Sequence, residues 1–115
     1  MDHLFIIQSK MDLSTLKESI DLVLATAVFS ENIGIIFKKD AVLLLEAPRE
    51  ASEISETQKM LSAFELYGIS PLYADQSDCI RRYLKPQDCI IDVEFITGSD
   101  QQSLIDSAKK VTPLT

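Results

Sequence analysis

The chain has 115 residues, 46% of them hydrophobic, and carries eighteen acidic against eleven basic side chains for a formal charge of −7. That length predicts one domain spanning residues 1–115, able to bury roughly two-thirds of its unfolded surface, and the apolar share argues against disorder. So acidic a surface repels polyphosphate, because affinity for phosphate comes largely from Lys and Arg; direct, tight nucleic-acid binding is not expected.

The start, Met1-Asp2-His3-Leu4-Phe5-Ile6-Ile7-Gln8, has four consecutive apolar residues and no basic lead. A secretory signal needs a longer apolar run and a membrane span needs about 20 apolar residues, so a cytoplasmic protein is expected. His3 to Gln8 reads as a strand apolar enough to be buried on both faces of a parallel sheet. After a polar connection from Ser9 to Ser14, Thr15 and Glu18 have capping-box spacing. Leu16, Ile20, Val23, Leu24 and Ala27 then recur at helical spacing, which predicts a helix from about Thr15 to Phe29 with Lys17, Glu18 and Asp21 on its wet side. Asn32 to Phe37 is a second strand without a polar face.

Lys38-Lys39-Asp40 reads as a turn. Ala41 to Ala47 fits either a strand or one buried helical turn; the helical turn is favoured because Asp40 can cap it and Pro48 can stop it. Pro48 to Glu53 is a charged loop. Ser55-Glu56-Thr57-Gln58 is a second capping-box candidate, leading a helix whose stripe is Met60, Leu61, Phe64 and Tyr67, and Gly68 is placed to end it in the left-handed conformation. Ile69 to Tyr73 predicts a third strand, with Pro71 at its first residue or on a sheet edge. Asp75 or Ser77 can cap a short helix to Leu84 that turns Ile80, Tyr83 and Leu84 inward. A turn at Lys85-Pro86-Gln87 leads to a fourth strand, Cys89 to Ile96, where Asp92 and Glu94 give one face to water or a partner. A last helix, Ser99 to Lys109, buries Leu104, Ile105 and Ala108, and Val111 to Leu114 can add a strand. Alternating strands and helices predict a parallel, helix-covered sheet.

The three glycines, at 34, 68 and 98, cannot form a glycine-rich phosphate loop. Neither a cofactor nor a metal site is expected. His3 has no Ser or Cys close in sequence and reads as a strand-end or surface residue. Asp92 and Glu94 would share a strand face, but no third ligand joins them. Arg81, Arg82 and Lys85 make a basic spot that a helix C-terminus favours in any case. Cys79 and Cys89 match no zinc or redox spacing and should be thiols in a reducing compartment. Cys79 falls within or just beyond a helix first turn, where the dipole favours thiolate, but Asp75 and Asp78 oppose it. A structural thiol is the favoured reading, and Cys89 reads as a core residue.

The run Leu22-Val23-Leu24-Ala25-Thr26-Ala27-Val28-Phe29, followed by Ile33-Gly34-Ile35-Ile36-Phe37, resembles the DsrE/DsrF/DsrH family of sulfur-relay proteins, its TusC (DsrF) branch in particular. Asp40-Ala41-Val42-Leu43-Leu44-Leu45, Phe64-Glu65-Leu66-Tyr67-Gly68-Ile69 and Ile80-Arg81-Arg82-Tyr83-Leu84 before Lys85-Pro86-Gln87 are similar to later parts of the same layout. The resemblance implies a three-layer α/β/α fold with a five-stranded, mainly parallel sheet. It also implies assembly with TusB-like and TusD-like subunits that relay persulfide sulfur toward 2-thiolation of wobble uridine in tRNA, or serve dissimilatory sulfur metabolism in sulfur-oxidising bacteria. The family's active cysteine sits on the TusD-like subunit, at the junction of the third strand and its helix. The matching place here, about Tyr73-Ala74-Asp75, has no cysteine, and Cys79 comes one turn later. The implied role is a non-catalytic subunit whose Ala41, Val42, Leu43, Leu44 and Leu45, together with the fourth strand, pack against its neighbours. The alternatives are a sulfurtransferase carrying persulfide on Cys79 and a homo-oligomeric binding domain of the same fold.

Overall fold

The computed structural model describes residues 1–8, 12–47 and 53–114. Five strands, β1 (His3–Ile7), β2 (Ile33–Phe37), β3 (Leu72–Asp75), β4 (Glu94–Ile96) and β5 (Lys110–Leu114), form one sheet in the order β4-β3-β2-β1-β5. Every pairing between neighbours is parallel, with Phe5 opposite both Ile35 and Thr112. The helices are α1 (Leu13–Ala27), α2 (Glu53–Leu61), α3 (Ala63–Leu66), α4 (Gln76–Arg81) and α5 (Gly98–Ser107). Two 3-10 helices, Lys39–Leu45 and Pro86–Asp88, complete the path.

The lack of alternation in β1 and β2 has its cause in this layering: every residue of both strands is buried. On one face Phe5, Ile7, Ile33, Ile35 and Phe37 pack with Leu16, Ile20 and Val23 of α1 and with Leu61 and Phe64. On the other face Leu4, Ile36 and Ile96 pack against Leu104, Ile105 and Ala108 of α5 and its exit. The result is the expected three-layer α/β/α architecture.

Several local expectations are corrected. Helix α1 starts two residues before Thr15, and its cap is Asp12, whose carboxylate accepts from the N–H groups of Ser14 (3.1 Å) and Thr15 (3.4 Å). The Thr15–Glu18 pair therefore lies inside the helix. Helix α2 begins at Glu53, so Ser55 is likewise internal and the last residue of the expected Pro48–Glu53 loop is helical; residues 48–52, with Pro48 as helix stop, lie outside the described residues. The α2 stripe breaks at Ser62, and α3 ends as predicted at Gly68, with φ +69°. The Gly68 N–H donates to Glu65 O (3.1 Å) and the Ile69 N–H to Phe64 O (2.9 Å), and Ile69 and Phe64 are both core residues. These two bonds satisfy carbonyls of the helix's last turn, and the apolar pair packs beside them.

Residues 39–45 do form a helical turn, but Asp40 does not cap it. Ala41, Val42, Leu44 and Leu45 are completely buried in the chain's own core, with Leu43 half-buried. The apolar cluster assigned to neighbouring subunits is thus largely buried within the chain, because this turn packs against α4, α2 and β3. The fourth strand is also shorter than expected. Cys89 lies outside the sheet in an antiparallel bridge with Glu46, the Ile90 N–H donates to Leu45 O (2.8 Å), and pairing with β3 begins only at Glu94. Strand β3 starts after Pro71 and is interior, not an edge.

If the 3-10 turn is core, Leu44→Ala should lower unfolding stability by about 2–5 kcal/mol. Leu43→Ala should cost clearly less, and chemical denaturation of the two variants would check the difference.

Candidate functional site

The place where the resemblance puts a sulfur-carrying cysteine is the carboxyl end of β3, and Asp75 occupies it. Asp75 caps α4: its Oδ1 accepts from the Asp78 N–H (2.9 Å), while its Oδ2 accepts from Gln101 Nε2 on α5 (2.9 Å). Asp78, 8% exposed, turns back and accepts the Lys39 N–H at 2.8 Å. A carboxylate from α4 thereby closes the first turn of the 3-10 helix, the task Asp40 was expected to do. Asp40 instead pairs with Arg82, whose Nη2 lies 2.7 Å and Nε 3.1 Å from Asp40 Oδ1. Arg82 Nη1 donates to Asp78 O (3.1 Å) and lies 3.7 Å from Asp78 Oδ1. The β2 exit, α4 and α5 are tied together at one end of the sheet by these side chains.

The electrostatics follow from that packing. Burial raises the Asp75 carboxyl, but hydrogen bonds from Gln101 and from the Asp78 and Ser77 N–H groups, with Lys38 nearby, hold it below its ordinary value. Cys79 is 0% exposed. Burial, then the neighbouring Cys89, Asp75 and Asp78, push its thiol up to about 12, against the smaller opposing pull of Arg82. Cys89 is half-buried, pushed up to about 11 by burial and Asp88, with Sγ 3.7 Å from Lys85 O. Both shifts disfavour the thiolate, which is the reactive form of a cysteine.

The remaining candidates are dispersed. His3 is buried, not at the surface: it stacks on Phe5 with ring centroids 4.0 Å apart and bonds Thr112 Oγ1 at 2.7 Å. Burial and Lys110 hold its imidazole below the usual value. Asp92 and Glu94 are both exposed, and Asp92 precedes the strand, so no shared strand face forms. Among the described residues no three metal-ligating groups converge. The basic spot splits: Arg81 and Lys85 are exposed, while Arg82 turns inward. Ile80 and Tyr83, expected inside, are 65% and 91% exposed, and Asp78, Cys79 and Leu84 take the inner face. The Asp75-x-x-Asp78 spacing carried a readable hint of the cap. Gln101 had no local signal, because its partner is 26 residues away.

Asp75 has a depressed carboxyl, so its contribution to stability is complete above the unfolded carboxylate range and is lost as pH falls through the folded value. Asp75→Asn should destabilise the protein by about 1–3 kcal/mol at neutral pH. It should also flatten the loss of stability on acidification, as thermal melts across a pH series would reveal.

A family model described as DsrE/DsrF-like matches residues 1–113. A "Protein TusC homolog" of Vibrio vulnificus (strain CMCP6) is 27% identical over 97 residues, covering 83% of this chain and 82% of the relative. That of Aliivibrio fischeri is 32% identical over 87 residues, covering 73% of each. Among solved structures, the ychN protein from E. coli superposes with a TM-score of 0.73 at 21% identity over 99% of this chain and all of the other. MTH1491 from Methanobacterium thermoautotrophicum gives 0.72 at 15% over 98% of this chain and all of the other. At such identities the structures speak for the fold alone, and the sequence relatives narrow it further. The chain belongs to the DsrE/DsrF-like family of sulfur-relay proteins, and within it is TusC-like.

Proposed function

We propose that this protein is a non-catalytic, structural subunit of a sulfur-relay complex, assembled with TusB-like and TusD-like subunits for formation of 2-thiouridine at the tRNA wobble position. The observation that carries this reading is the pair Asp75 and Cys79. A carboxylate stands at the strand–helix junction where a sulfur carrier would stand, and the nearest thiol is completely buried. A persulfide relay needs a thiolate that a donor can reach, and Cys79 offers neither the charge nor the access.

The scaffold reading also needs a surface to offer. Since Ala41, Val42, Leu44 and Leu45 are spent on the chain's own core, the surface lies elsewhere. The ends of α1 and α3 leave Val28 (64% exposed), Phe29 (90%), Leu66 (86%) and Tyr67 (53%) in solvent. Large apolar side chains of this kind mark contact surfaces when they gather. The sister subunits would bury them and supply the reactive cysteine. The alternative, Cys79 as a persulfide carrier, would require α4 to leave the core.

Co-expressed with TusB-like and TusD-like subunits, the protein should elute with both as one hetero-oligomer. Cys79→Ser should leave both assembly and sulfur transfer intact. A chain that ran alone in the presence of both partners would refute the assignment; so would a Cys79→Ser complex that assembled normally but transferred no sulfur.

A further inference from the structure

Cys79 and Cys89 play no part in the proposed assembly, yet the fold brings them to one place. Two turns double the chain back between them. The Arg82 and Leu84 N–H groups both donate to Cys79 O, at 3.1 and 2.9 Å, and Leu84 is buried. Beyond it, the Cys89 N–H donates to Pro86 O (3.2 Å) and the Cys89 Sγ lies 3.7 Å from Lys85 O. Cys79 and Leu84 belong to the same core cluster, and Cys89 packs against that cluster from its edge. Interaction between charges falls off with distance. After burial, a Cys89 thiolate opposes ionisation of Cys79 more than Asp75 or Asp78 does, which agrees with neighbouring sulfurs.

The two thiols differ in their access to small molecules. Cys89 lines a cavity of about 560 Å³ beside α3, together with Leu61, Phe64 and Leu72. The cavity stays open because Cys89 and Ile90 bond to Glu46 and Leu45, and pairing with β3 starts only at Glu94. It is many times the roughly 30 Å³ that one water takes up in the liquid, so a small oxidant fits. Cys79 is completely buried and has no such approach.

We propose that Cys79 and Cys89 are a redox pair: a peroxide entering the cavity beside α3 oxidises Cys89, and Cys79 then closes a disulfide from the core side. In the first step the Cys89 sulfur attacks one peroxide oxygen. The S–O bond forms as the O–O bond breaks, and the departing hydroxide takes the thiol proton to become water. In the second step the Cys79 sulfur attacks the sulfenic sulfur of Cys89. The S–S bond forms, the S–O bond breaks, and the oxygen leaves as water with the Cys79 proton. The thiols together give up two electrons, which reduce the peroxide. Burial shuts Cys79 off from outside reagents but not from Cys89. The link ties α4 to the segment after Pro86 and closes a short loop carrying the exposed Ile80, Arg81 and Tyr83. The inference does not rest on the sulfur-relay reading, since it needs no partner and adds no sulfur.

The reaction is slow near neutral pH because thiolate is the attacking form. Burial and Asp88 push Cys89 up to about 11, and Cys79, facing Cys89, Asp75, Asp78 and Arg82, is pushed up to about 12.

Treating the purified full-length chain with hydrogen peroxide, then alkylating it unfolded and mapping its peptides by mass, tests the proposal. The wild type should lose both free thiols together and yield a peptide cross-linked between Cys79 and Cys89, at a rate independent of protein concentration. That rate should rise about tenfold per pH unit between about pH 7 and 9, as the thiolate fraction does. Cys79→Ala should stop at a Cys89 sulfenic acid that dimedone traps. Cys89→Ala should slow oxidation of Cys79 at least about tenfold. Should either variant fail to fold, the cross-linked peptide of the wild type decides alone. A wild type whose Cys89 gains oxygen while Cys79 stays a free thiol overturns the proposal. So does one whose thiols both stay free under excess peroxide, or one that links two chains instead.

Discussion

Two carboxylates at the end of β3 govern what this end of the sheet can do. Asp75 takes the Asp78 N–H and the Gln101 amide, and Asp78 takes the Lys39 N–H. These bonds join the end of β3 to α4 and α5, and α4 to the β2 exit, and each uses a backbone or amide donor that could otherwise have served an anion. With α4 held in this way, Cys79 is pressed into the core between negative charges. Burial does most to disfavour the Cys79 thiolate, and the same two side chains that supply local stability add to it.

Arg82 extends this arrangement outward. Its bonds to Asp40 and to Asp78 O fix the chain between β2 and α4, so the 3-10 turn from Lys39 to Leu45 packs its apolar side chains inward. What remains outside is then determined: Ile80 and Tyr83 at one place, and Val28, Phe29, Leu66 and Tyr67 at the ends of α1 and α3. A family whose members relay sulfur between chains needs reactive sulfur on some subunits and ordered contact surfaces on all of them. On the proposed reading, this chain contributes the second and a sister subunit the first.

The architecture was legible in the sequence because the strands β1 and β2 are apolar throughout, which only a sheet covered on both sides accommodates. Gly68 was readable for a similarly local reason, since a left-handed helix end is nearly its own signature. Long-range partners were not. Asp12 displaced Thr15 as a cap because a carboxylate three residues upstream can accept two N–H groups. Asp78 displaced Asp40 because packing brings α4 onto the β2 exit. Ile80 and Tyr83 fit an apolar stripe, yet α4 stops at Arg81 and the left-handed Tyr83 rotates the stripe away from the core. The Leu43-Leu44-Leu45 run shows the same limit: apolar residues needing cover were correctly recognised, but sequence alone does not say whether the cover comes from the same chain.

The central claim is that sulfur does not pass through this polypeptide. Intact-mass spectrometry of the native complex after exposure to a persulfide donor addresses it most directly. The account predicts that this chain keeps its unmodified mass while a sister subunit gains sulfur. Added sulfur on Cys79, appearing with the complex still folded and assembled, would contradict it.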